Sequence, residues 1–381
     1  MKFKLNRLLL QLGRALAAIL FVATLSGCFG GAVKPKPTEL QPVTPSVTAR
    51  QIWTASIGPV KFPLQTTVAA GTLAVAGSDG TLALLDTQTG RDLWRVALAT
   101  PLAAGVGSDG KLTAVVSREN EVIAVQDGRE IWRQKLNAQV FTSPFVAGGR
   151  VFVLAADRSV GAFDGRSGSR LWTQQRPSEP LVLHQSGVIL AVGDTLVVGL
   201  AGRLAGLNPA NGSVRWEVPI ASPRGINDVE RLVDLIGPVS RHDDSVCARA
   251  YQASIGCVNA ARGSLVWAKP AAGVEGLSGD DRMLFGTESD GTVVSWRRSD
   301  GELGWTTDRL RYRGLTAPLL AGRSLAIGDA TGFIHLLSRE DGSLLNRLAT
   351  DGSRIAAAPV LAGDKLIAVT RNGNVYGFQP E

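Results

Sequence analysis

A glycine followed four residues later by a tryptophan recurs along this chain as Gly90 and Trp94, Gly128 and Trp132, Gly168 and Trp172, Gly212 and Trp216, Gly263 and Trp267, and Gly301 and Trp305. A seventh copy at Gly342 carries Asn346 in place of tryptophan, and an N-terminal copy keeps Trp53 without the glycine. The eight positions 53, 94, 132, 172, 216, 267, 305 and 346 lie 38 to 51 residues apart. A period near 40 residues marks an array of one supersecondary unit, either a solenoid or a propeller.

The unit is a strand meander. From Gly71 to Leu98, the run Leu73-Ala74-Val75-Ala76 meets a turn at Ser78-Asp79-Gly80. The run Leu82-Ala83-Leu84-Leu85 meets a second turn ending at Gly90, and a third run carries Trp94. Runs this short, punctuated by Asp-Gly and Asn-Gly, predict hairpins and leave no room for helices. A further run such as Ser143-Pro144-Phe145-Val146 opens each unit and makes four strands per repeat. The strands are apolar on both faces, as in Val151-Phe152-Val153-Leu154-Ala155, so each sheet must be covered on both sides, which a propeller provides. The C-terminal unit lacks a fourth strand, whereas 51–56 is a fourth strand without a unit. Joining them predicts an all-β, eight-bladed propeller of four-stranded antiparallel blades, closed by the N-terminal strand and left with no open seam. A linear array would instead be expected to carry polar capping repeats at its ends.

Residues 1–27 carry Lys2, Lys4, Arg7 and Arg14, no acidic residue, and an apolar run too short to remain as a spanning helix, which reads as a signal peptide. The run ends in Leu25-Ser26-Gly27-Cys28. This is similar to the lipobox of bacterial lipoproteins and implies cleavage before Cys28 and acylation of its thiol. Phe29 at the next position implies, by the same resemblance, delivery to the outer membrane. Residues 28–50 include Pro35, Pro37, Pro42 and Pro45 among polar residues and read as an extended tether; 51–381 is the propeller.

The formal charge of +7 falls to +3 once the four basic residues of 1–27 are set aside. With no basic stripe and its few aromatics committed to the repeat, the chain is not expected to bind nucleic acid. The histidines, His184, His242 and His335, are scattered, and no metal motif, phosphate loop or nucleophile motif is present in the sequence, so no cofactor and no catalytic residue is expected. Cys247 and Cys257 lie on adjacent strands of one repeat, either side of a turn near Gln252. In an oxidising compartment a cross-strand disulfide is expected over two buried thiols. The longest interval, between Trp216 and Trp267, holds about ten extra residues beyond the usual period. Within it Val229, Leu232, Val233 and Ile236 have helical spacing, and the segment is either a projecting loop or short helix, or a loop packed on its own blade.

The repeats, fullest at 86–94 and 164–172, resemble those of pyrroloquinoline-quinone dehydrogenases, in which the tryptophan docks one blade on the next. Together with the lipobox, the short tether and the length, they resemble the BamB lipoproteins of the outer-membrane β-barrel assembly machine across the whole chain. That resemblance implies a non-enzymatic scaffold on the periplasmic face of the outer membrane. Such a scaffold binds the POTRA domains of BamA, the central barrel subunit, and helps unfolded outer-membrane proteins reach it. In this sequence Leu181, Leu183 and His184 match a family loop of the pattern L-x-L-R, with His184 replacing the arginine. The stretch 230–234, with Arg231 and Asp234, matches an acidic loop, and Ile236 stands where a second aspartate is usual. These residues are the expected partner contacts, with the leucines as anchors and Asp234 as a rim charge. A periplasmic quinoprotein or a binder of peptidoglycan is the alternative reading. The first would need a vicinal cysteine pair, which Cys247 and Cys257 are not.

Overall fold

The computed structural model describes residues 35–175, 181–223, 226–227 and 232–380; Cys28 and Arg231 lie outside the described residues. Of two compact units, Met1–Pro37 and Thr38–Glu381, the second holds every described strand. Its thirty-two strands form eight four-stranded antiparallel sheets. Blades 1 to 7 span 67–97, 102–135, 145–174, 189–219, 235–270, 277–307 and 319–349. Blade 8 combines 360–380 with Ala49–Ser56, which pairs antiparallel with Asn374–Pro380 from Ala49↔Pro380 to Ser56↔Asn374. The ring therefore closes through non-local main-chain pairing, the arrangement the mismatched ends of the sequence require.

Successive strands run in opposite directions. The hairpins joining strands 1 to 2 of every blade and 3 to 4 of blades 1 to 7 therefore open on one face of the ring, and the 2-to-3 hairpins and the inter-blade connections open on the other.

The repeated tryptophan staples each blade to the next. Trp53 of blade 8 lies against Gly90 of blade 1, and the series continues through Trp94 and Gly128, Trp132 and Gly168, Trp172 and Gly212, Trp216 and Gly263, Trp267 and Gly301, and Trp305 and Gly342. Two independent constraints demand glycine. Gly90 has φ of +68°, and a Cβ added there would fall 2.5 Å from the Trp53 ring. Several indoles also donate Nε1–H to a carbonyl of the same turn, such as Trp132 to Gly165 at 2.8 Å and Trp267 to Arg298 at 2.7 Å. The middle strands of each blade are buried on both faces, and apolar clusters fill the spaces between blades.

Residues 38–47 depart from the expected free tether. They form a strap along the outer edge of blade 7, with Leu40 packed on the apolar cluster between blades 6 and 7. Thr38 N–H donates to Arg311 O at 3.0 Å, Ser46 N–H to Leu345 O at 3.0 Å, and Arg313, Arg347, Arg323 and Asn346 donate to the carbonyls of Thr38, Gln41, Ser46 and Val47. Two of these arginines rest on a buried polar cluster. Arg313 Nε donates to Asp329 at 2.8 Å, and His335 Nε2–H donates to the same carboxylate at 3.1 Å while its Nδ1 accepts from Arg347 at 3.4 Å. Proline and polar composition signals a chain without a core of its own, and here that chain is satisfied by an existing sheet edge instead of by solvent.

The helical spacing read into the long insertion is not realised at its C-terminal end. Ile236 lies in the first strand of blade 5, Leu235–His242, and Val233 and Ile236 are both buried. Val229 is outside the described residues. Burial in a sheet selects the same apolar residues as a helix face would, and a run this short cannot separate the two. In blade 5, Cys247 and Cys257 are directly opposed across strands 2 and 3 and are joined as a disulfide.

Candidate partner-binding site

The loop residues singled out by sequence meet on the face that bears the inter-blade connections. Residues 181–184 belong to the connection from blade 3 to blade 4, and Asp234 ends the connection from blade 4 to blade 5. Between them reaches Arg158, in the turn between strands 2 and 3 of blade 3. Its Nη2 lies 3.2 Å from Asp234 Oδ1 and 3.4 Å from the carbonyl of Leu181. The second carboxylate oxygen, Asp234 Oδ2, accepts the backbone N–H of Leu183 at 3.0 Å. One acidic side chain thus ties down two blades and the loop between them. Asp234 is not a rim charge open to solvent, because both its oxygens are engaged internally.

The same clamp sets what the loop presents. Leu181 is 40 % exposed, whereas Leu183 is half-buried over a small cavity of about 50 Å³ shared with Phe141, Leu154 and Arg158. His184 is exposed and sits edge-on to Phe141, with ring centroids 4.3 Å apart, so the residue replacing arginine is held by an aromatic contact. Residues 185–187 continue the anchoring: Gly187 N–H donates to Thr142 Oγ1 at 2.9 Å, and Gly237 N–H to Ser186 O at 2.9 Å. An exposed leucine on a loop fixed at this many points loses little entropy on docking, which favours its use as an anchor.

Arg158 was missed by sequence reasoning, although a signal existed. It occupies the turn position held by Gly80, Gly291, Gly332 and Gly373 in sister blades, and its φ is +62°. A side chain in the left-handed region costs about 1 kcal/mol relative to glycine. Asn120, Ala201 and Gln252 hold the same left-handed conformation in the corresponding turns of blades 2, 4 and 5, so the signal at 158 is the long cationic side chain placed beside the neighbouring connections.

The central channel opens beside this site. It encloses about 590 Å³, and Lys61, Arg354, Arg371 and Glu275 are among its lining residues. Burial raises the Glu275 carboxyl to about 7 against the opposing pull of Arg354 and Arg249. Among the described residues, no group of three or more His, Cys, Asp or Glu side chains is placed to hold a metal ion.

The family profile for outer membrane protein assembly factor BamB matches residues 78–307. The outer membrane protein assembly factor BamB of Burkholderia pseudomallei is 36 % identical over 96 % of this chain and 96 % of its own length. The chain belongs to the BamB family. A second relative of the same name, from Bordetella pertussis, is 36 % identical over 89 % of both chains. The crystal structure of BamB from Moraxella catarrhalis superposes with a TM-score of 0.79, covering 87 % of this chain and 100 % of that one at 22 % identity. That likeness extends the fold agreement to the whole ring.

Proposed function

We propose that this protein is a non-enzymatic assembly factor for outer-membrane β-barrel proteins, held by acylated Cys28 on the periplasmic face of the outer membrane. It docks on the POTRA domains of the barrel subunit, BamA, through the blade 3–4 loop. Its membership of a family named for that role, over nearly the full length of a relative, is the observation that carries the reading. No metal or organic cofactor enters the mechanism.

In this mechanism the propeller contributes geometry. Leu181 is the apolar anchor, Leu183 and His184 flank it, and Arg231, outside the described residues, is the further contact expected from the sequence. Asp234 and Arg158 position the loop from behind. Hydrophobic anchors surrounded by polar groups are the usual arrangement of a docking patch.

The test is retention of BamA from detergent-solubilised envelopes by the full-length protein, with a Leu181→Ala, Leu183→Ala double variant first shown to fold by circular dichroism. Wild type retaining BamA and the folded variant losing it is the expected result. A folded wild type that retains no barrel-assembly subunit would overturn the reading in favour of a different envelope ligand, peptidoglycan included.

A further inference from the structure

We propose that Lys61, Arg354 and Arg371, at the mouth of the central channel on the face that bears the inter-blade connections, form a binding site for a phosphate-bearing anion. This goes beyond the assembly-factor reading and does not depend on it.

Comparison among the blades sets these residues apart. In seven blades a residue of the turn between strands 2 and 3 donates its amide to a carbonyl of the connection entering that blade, as Ser78 does to Pro59 and Ala330 to Arg313. Blade 8 is the one member of that series in which both positions are basic: Arg371 N–H donates to Arg354 O at 2.8 Å. The carbonyl of Arg371 in turn accepts the N–H of Val60 at 2.9 Å, which sets Lys61 next to the pair. Main-chain bonds thereby gather three basic residues from two connections and one turn, and all three line the channel. Like charges on hydrogen-bonded neighbours repel.

No acid offsets that repulsion. Other arginines of this chain pair with a carboxylate, as Arg313 does with Asp329, Arg249 with Glu288 and Arg339 with Asp280. Among the described residues, no carboxylate lies within ion-pair distance of Lys61, Arg354 or Arg371. The one carboxyl group among the lining residues is that of Glu275, which burial raises to about 7 although Arg354 is near enough to oppose the shift. Near neutral pH it is about half protonated, so the wall of the channel carries a net positive charge. Cations lining a concave surface focus a positive potential, and a space of about 590 Å³ is of the size that small-molecule sites occupy. Two guanidinium forks and an ammonium match the several oxygens and multiple charge of a phosphate compound, whereas a single carboxylate would leave part of that charge unmet.

The probe is inorganic pyrophosphate, titrated calorimetrically into the full-length protein in detergent. Saturable binding that weakens as salt is raised is expected. Arg354→Gln and Arg371→Gln are each expected to weaken it about tenfold, the loss of one charge-assisted contact. Arg91→Gln, on the opposite face of the ring, is expected to leave it within about twofold. Glu275→Gln removes the competing carboxylate and is expected to tighten binding about threefold at pH 8. A gain of affinity cannot come from misfolding, so this variant keeps the test decisive if the arginine variants are unstable. Glycerophosphoglycerol, an anionic phospholipid head group without its acyl chains, separates the two sources of phosphate: if it displaces pyrophosphate the ligand is a lipid head group, and if it does not the ligand is a free phosphate compound. The proposal is overturned by absence of saturable binding to wild type, by undiminished binding in both arginine variants, by equal loss in Arg91→Gln, or by weaker binding in Glu275→Gln.

Discussion

The side-chain amide of Asn346 donates to the carbonyl of Val47 at 2.8 Å, at the one repeat position where tryptophan is missing. The substitution follows from how the ring closes. Every tryptophan staple needs a glycine turn between strands 3 and 4 of the next blade. In blade 8 those strands are 374–380 and 49–56, which come from opposite ends of the chain, so no such turn exists. An indole at 346 would have nothing to stack on, and the amide holds the strap instead. Asn346→Ala is expected to cost about 1 kcal/mol, the worth of one largely buried hydrogen bond. The expected readout is a lower urea midpoint with unchanged m-value, and faster proteolysis within 38–47.

A pair of glycine variants separates backbone strain from packing. Gly90→Ala meets both a positive φ and the Trp53 ring, so about 3 kcal/mol of destabilisation is expected. Gly363→Ala has φ of +64° but no atom within 4 Å of the added carbon, and about 1 kcal/mol is expected. Equal thermal shifts in the two would show that the staple contact contributes nothing.

Arg158→Ala removes one partner of a largely buried ion pair and leaves Asp234 engaged only by the Leu183 amide. The expected loss is about 2 kcal/mol, with weakened BamA retention although Arg158 itself is buried behind the loop. A double-mutant cycle with Asp234→Asn should show non-additivity, since the two side chains act on one loop.

Glu275 gives stability a pH dependence of definite sign. Its carboxyl is raised from the ordinary glutamate value of 4.5 to about 7 in the folded protein, chiefly by burial. The folded state therefore binds more protons than the unfolded state between those values, and stability falls as pH rises through that window. Glu275→Gln should remove the decline and leave the variant more stable than wild type at pH 8 by up to about 3 kcal/mol. Denaturation midpoints at pH 5 and pH 8 measure the difference.

The blades were legible because their determinants are local and repeated. Glycine and tryptophan four residues apart encode a turn and the surface that meets it, and short apolar runs encode strands covered on both faces. The opposed cysteines followed from the same register. What was not legible acts through the main chain or at long range. Segment 38–47 is held by its carbonyls and amides, which leave no trace in side-chain composition, so prolines alone suggested an unattached linker. Asp234 could be placed on a loop by its sequence, but its inward turn depends on Arg158, 76 residues away. The apolar spacing around Val233 was real, and burial beneath a strand produced it.

The strap shortens the leash. A lipid on Cys28 would be connected to a propeller free from residue 51 onward by 23 residues, a maximum span of about 80 Å at about 3.5 Å per residue. Fixing the chain at Thr38 leaves ten residues, 28–37, and a maximum of about 35 Å. For a lipid-anchored chain, the volume the propeller could sweep beneath the membrane would fall about twelvefold with the cube of that radius. Its effective concentration near any membrane-embedded partner would rise accordingly. With Cys28 acylated as proposed, the four hydrogen-bonded residues of 38–47, Thr38, Gln41, Ser46 and Val47, would tune encounter frequency without touching the partner at all.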